Sequence, residues 1–136
     1  MSFNLSWFLE KRIVYASASG QVTVSELQNA VHTMAAYIRQ GDAPVHALLD
    51  FTNVEKFPTR ISAYKDFAFP AAEPNTGMLV LISANKLALF IIGVVAQLSD
   101  RNIYTFPTLD EGLAFLARKD WTLPWFEMIN HESESV

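Results

Sequence analysis

The sequence predicts a single α/β domain built on a mostly parallel sheet. Three observations lead there. Short apolar runs alternate with capped amphipathic stretches in the order ββαβαβαβα. Strands separated by single helices must run parallel with right-handed crossovers, so helices cover at least one sheet face. At 136 residues, 51% of them hydrophobic, the chain can fill one core, and a domain of this size buries roughly 70% of its unfolded surface.

The elements follow in order. Leu5 to Leu9 and Ile13 to Ala16, rich in aromatic and β-branched residues, read as an antiparallel hairpin around the polar turn Glu10-Lys11-Arg12. Gly20 breaks that pattern. Thr23-Val24-Ser25-Glu26 is a capping box, in which threonine and glutamate satisfy each other's orphan amides. The helix behind it carries Leu27, Val31, Met34, Ala35 and Ile38 on one stripe and ends near Gly41. Val45 to Phe51 is a continuous apolar run ending in a polar turn, the pattern of a buried central strand. A looser segment, Thr52 to Glu73, contains Pro58 and Pro70 and leaves room for one short helix between Thr59 and Phe67. Met78 to Ile82 is the next buried strand, and Asn85 caps a helix from Lys86 to Leu98. Asn102 to Phe106 is the last strand, followed by a helix capped by Thr108 and Glu111 that runs to about Lys119. The domain therefore occupies residues 1–120. Residues 121–136 form an aromatic segment with Trp121, Trp125 and Phe126, then a polar tail from His131 expected to be disordered. The helices are expected mainly on one face of the sheet.

These pieces carry a family likeness. The stretch Gly20-Gln21-Val22-Thr23-Val24-Ser25-Glu26-Leu27 opens a helix, and Val45-His46-Ala47-Leu48-Leu49-Asp50-Phe51-Thr52-Asn53-Val54 follows it. After a further strand and helix comes Phe106-Pro107-Thr108-Leu109-Asp110-Glu111-Gly112-Leu113-Ala114-Phe115-Leu116. From about Trp7 to Asp120 the chain resembles the SpoIIAA-like proteins, relatives of the STAS domain of anti-sigma-factor antagonists, mostly small bacterial proteins. The resemblance implies an α/β fold and a regulatory, protein-binding role. It also departs from the antagonists at one place. They carry an Asp-Ser pair with a nearby glycine after the central strand, and that serine is the phosphorylation switch. Here Pro58 stands in the aspartate's place, Thr59 in the serine's, and no glycine follows.

Composition excludes several classes of chemistry. With no cysteine there are no disulfides, thiolate metal sites or cysteine nucleophiles. A net charge of -4 and the lack of a basic run argue against nucleic acid. The N-terminus has no signal-peptide pattern, and the apolar run Leu87 to Ala96 is too short to span a bilayer, so a soluble cytoplasmic protein is expected. His32, His46 and His131 do not cluster along the chain, and no phosphate loop or nucleophile elbow is present. Asp110 and Glu111 are explained by their cap and the helix dipole. No metal, cofactor or enzymatic activity is expected.

The remaining candidates are binding residues. Asp50 ends a central strand, where open α/β sheets usually hold ligands, and otherwise hydrogen-bonds the turn amides at Thr52 and Asn53. Thr59 is either a helix cap or a phosphate acceptor beside Arg60. The helix Lys86 to Leu98 is apolar all round and needs cover on two sides. Leu87, Phe90, Ile91, Val94, Val95 and Leu98 would cover the sheet, leaving Ala88, Leu89, Ile92, Gly93 and Ala96 for a second chain, an apolar molecule or the C-terminal segment. The reading that follows is a non-catalytic regulatory or protein-binding module, homodimeric through this helix. Its alternative is a carrier or sensor of a small lipophilic molecule, held between the helix, Phe67, Phe69 and C-terminal aromatics such as Trp125.

Overall fold

Aromatic and β-branched residues at the N-terminus pair as expected, in strands longer than their apolar cores suggest. The computed structural model describes residues 2–99 and 101–124. Strand β1 (Phe3–Leu9) runs antiparallel to β2 (Ile13–Gln21), and β2 passes through Gly20, which sits at φ 67 beside a register shift. Helix α1 (Val24–Gln40) begins at the Thr23 capping box with both reciprocal bonds formed, and its buried stripe is Leu27, Ala30, Val31, Met34, Ala35 and Ile38. Strand β3 (Val45–Lys56) is twelve residues long and absorbs Thr52 and Asn53, which the sequence assigned to a turn. A four-residue 3-10 turn (Ile61–Tyr64) interrupts the segment before β4 (Thr76–Ile82). Helix α2 (Lys86–Leu98), β5 (Ile103–Phe106) and α3 (Leu109–Lys119) complete the elements of the described residues.

The sheet order is β1-β2-β3-β4-β5, with only the first pair antiparallel. Alternation along β3 divides the core in two. Val45, Ala47 and Phe51 face α1 and α2, whereas Leu48, with Ile13, Val80 and Ile82, faces α3. Two of the three helices among the described residues therefore share a face, as expected. Helix α3 approaches β4 closely because of Gly112. A Cβ there would lie 2.6 Å from Ile82 Cδ1 and 3.3 Å from Val80 Cγ1.

Helix α2 differs from expectation in rotation. Its buried residues are Ala88, Ile91, Ile92, Val95 and Ala96, with Ile92 and Ala96 only 3% and 2% exposed. Leu87, Phe90 and Leu98, expected on the sheet, are 48%, 59% and 78% exposed. A helix apolar all round offers two nearly equivalent stripes, and the smaller side chains allow the closer approach to the sheet.

Candidate functional site

Two polar clusters lie on the α3 side of the sheet, each at an irregularity in strand pairing. Between Ser17↔Asp50 and Ser19↔Asn53, β3 holds one residue more than β2. Such a bulge leaves an amide without its ladder partner. Asp50 supplies the acceptor: its Oδ1 takes the Thr52 N–H at 2.9 Å and the Thr52 hydroxyl, and its Oδ2 takes the Tyr15 hydroxyl at 2.5 Å. Burial, followed by the hydrogen bond to Asp50, pushes the Tyr15 phenol well above its ordinary pKa. The expected contact from Asp50 to the Thr52 amide is present, with Thr52 in a strand rather than a loop.

The second cluster was not legible as a cluster in sequence. Val45↔Thr76 and Ala47↔Leu79 pair directly, so Gly77 and Met78 of β4 together oppose His46 of β3. The Met78 N–H donates to His46 Nδ1 at 2.9 Å. Nδ1 is thus the acceptor, and Nε2 carries the proton and donates to Asp120 Oδ2 at 2.8 Å. Arg12 donates to the same Oδ2 at 2.9 Å, and Thr122 gives Oδ1 its amide at 3.1 Å and its hydroxyl at 2.5 Å. Burial presses against the Asp120 carboxylate, but the donors from Thr122 and His46 outweigh it and hold its pKa below the usual range. His46 is 1% exposed, and that burial depresses its pKa. The single sequence signal was a histidine opening a buried strand; its partner lies 74 residues away.

The other candidates are dispersed. Thr59 is exposed and does not cap a helix, because the 3-10 turn starts at Ile61 with Arg60 in the cap position and no side-chain cap bond. Pro58 instead receives the Tyr64 hydroxyl at its carbonyl, at 2.8 Å. Phe67 stacks edge-on between Tyr64 and Phe69, with centroids 6.2 and 5.2 Å away. Phe69 helps line an apolar hollow of about 70 Å³, walled by α1, the sheet and the segment leading to Glu73. Neither α2 nor Phe67 belongs to that wall, so the expected lipophilic pocket is not assembled from those pieces. Trp125 lies outside the described residues. Trp121 is 88% exposed, and Leu123 is buried with the α3 cluster, on the sheet face opposite α2.

Of the residues expected to meet a second chain, Leu89 and Gly93 are half-buried and line an open groove of about 630 Å³ between α2 and β5. Ala96, itself buried, also lines it, while Ile92 belongs to the core. Phe90, expected on the sheet, and Tyr104, which sequence reasoning missed, also line this groove and are 59% and 41% exposed, the Tyr104 ring packing on Phe115 of α3 with centroids 4.9 Å apart. Among the described residues β5 pairs with β4 alone, which leaves its other edge without a described strand.

No family model matches the chain, and no curated protein matches it either. Solved structures do. An uncharacterized DUF3478-family protein with a SpoIIAA-like fold, from Shewanella loihica PV-4, superposes with a TM-score of 0.51 at 11% identity, covering 84% of this chain and 91% of its own. The fold is SpoIIAA-like. The anti-sigma factor antagonist SpoIIAA in its unphosphorylated form is similar at a TM-score of 0.50 and 11% identity, over 84% of this chain and 95% of that one. At these identities the SpoIIAA-like fold is what is shared.

Proposed function

We propose that this chain is a non-catalytic regulatory module that binds protein through the α2–β5 groove, and that it forms a homodimer there. The observation that carries the reading is exposed Phe90 beside the β5 edge, which no strand among the described residues pairs, with Leu87 and Leu98 exposed on the same helix. Exposed apolar side chains beside an edge strand are a recurrent protein-contact arrangement. The likeness to SpoIIAA, named an anti-sigma factor antagonist, supports a regulatory role. A non-enzymatic reading is supported by the buried carboxylates, since Asp50 and Asp120 direct their oxygens at donors of the protein itself. We place the protein in the cytoplasm, and no helix among the described residues is long and apolar enough to cross a membrane.

The test is light scattering coupled to size exclusion, with capture of partners from the native host, on wild type, Phe90→Glu and Leu98→Glu. Both variants should fold and run as monomers with partners lost. A dimer with unchanged partners in both would overturn the assignment.

The lipophilic-carrier reading rests on the apolar hollow beneath Phe69. At about 70 Å³ it is half the size of the roughly 150 Å³ cavity that admits benzene. A fatty acid would have to displace Phe69 and the residues after it. The melting temperature should stay level across a fatty-acid and isoprenoid panel, and a saturable rise would favour the carrier.

A further inference from the structure

The His46 ring bridges two parts of the fold that are distant in sequence. On one side it caps the amide left free by the β4 bulge; on the other it holds the carboxylate that ends α3. Gly77 permits this, because a Cβ there would overlap Nδ1 and lie 2.7 Å from Cε1. Both ring nitrogens are engaged, and they are engaged differently. Nε2 donates and Nδ1 accepts. A second proton can go only to Nδ1, where it would point at the Met78 N–H.

We propose that His46 is an acid-sensitive latch, whose protonation at Nδ1 expels the Met78 amide and opens the beginning of the β3–β4 pairing together with the segment leading into β4. The proton comes from solvent and no covalent bond changes. The ring's hold on Asp120 survives, since Nε2–H still donates, so the change falls on β4 rather than on α3. The charged groups facing the ring are Asp120, from the end of α3, and Arg12, from the turn into β2. Asp120 favours the added charge, Arg12 opposes it from the same carboxylate oxygen, and β4 presents only Gly77 and the Met78 amide. Pro44, also beside Gly77, carries no charge.

The direction with pH follows from burial. The ring's pKa is lower folded than unfolded, where it is about 6.5. Stability is then level above that value and falls as pH drops below it, because the unfolded chain binds the proton more readily. One proton changes the folding equilibrium by at most about tenfold per pH unit.

Nitrogen-15 NMR of the full chain between pH 7.5 and 5 tests this. The His46 ring should show the Nε2–H tautomer at neutral pH. As it titrates, the Met78 amide should shift and lose hydrogen-exchange protection in step. His46→Asn, whose Oδ1 can accept the Met78 N–H but does not titrate, should keep that protection level. An Nδ1–H tautomer at neutral pH, or a Met78 amide that stays protected while His46 titrates, would overturn the latch. Both readouts come from wild type, so a variant that fails to fold does not remove the test.

Discussion

Lys11 sits at φ 64 in the β1–β2 turn, a conformation in which a Cβ crowds the following carbonyl. Lys11→Gly relieves roughly 1–2 kcal/mol of that crowding and adds about 0.5–1 kcal/mol of unfolded-chain entropy. The net expectation is a small stabilisation, read as a higher urea midpoint with an unchanged slope. Asp50 presents the opposite case. Its oxygens receive three donors at the β3 bulge, and Asp50→Ala leaves the Thr52 amide and Tyr15 hydroxyl to find others. The cost of stranding such groups is about 1–3 kcal/mol. Asp50→Asn keeps one acceptor oxygen and should lose less, and thermal melts of the pair would show the order. A smaller loss in the alanine variant would mean that the carboxylate does not hold the bulge.

Helix α2 shows how much rotation matters at the level of an element. Ile92→Glu would place a carboxylate against the sheet, where an unpaired charge is strongly unfavourable, and should abolish cooperative folding. Phe90→Glu, two positions away on the exposed side, should change stability by no more than about 0.5 kcal/mol, as surface substitutions usually do. Circular dichroism melts of the two separate a core face from a contact face. In α3, Gly112→Val would press branched carbons onto Ile82 and Val80 and should cost about 1–3 kcal/mol. Gly112→Ala gains roughly 1 kcal/mol of helix propensity against a smaller clash, so its melting temperature should exceed that of the valine variant. Equal values would show that α3 can lift off β4 without loss.

For the whole molecule, groove binding and acid sensitivity belong to different faces and should vary independently. Phe90→Glu should abolish self-association and leave the pH profile of stability unchanged, whereas His46→Asn should do the reverse; titrated melts and light scattering on both variants check this. Much of the architecture was readable along the chain because it depends on local chemistry. The Thr23 box, the Asn85 cap and the Thr108 cap start helices where they were expected, since a cap acts within three residues. Strand identity and parallel order followed from apolar runs between helices. What the one-dimensional pattern lacked was register and rotation. The two bulges arise from pairing between strands, so the tasks of Asp50 and His46 as amide caps, and the extension of β3 through Thr52, existed only once neighbours were in place. Thr59 lost its predicted helix end because the segment around it folded into a short 3-10 turn stacked on Phe67. Helix α2 could present either of two apolar stripes, and the choice was made by which one fits the sheet. Asp120 meets His46 across 74 residues, a contact that no local period encodes. Local hydrogen bonding and side-chain periodicity thus determined the elements and their order, while packing between distant segments decided which residues are core, which are paired and which remain on the surface.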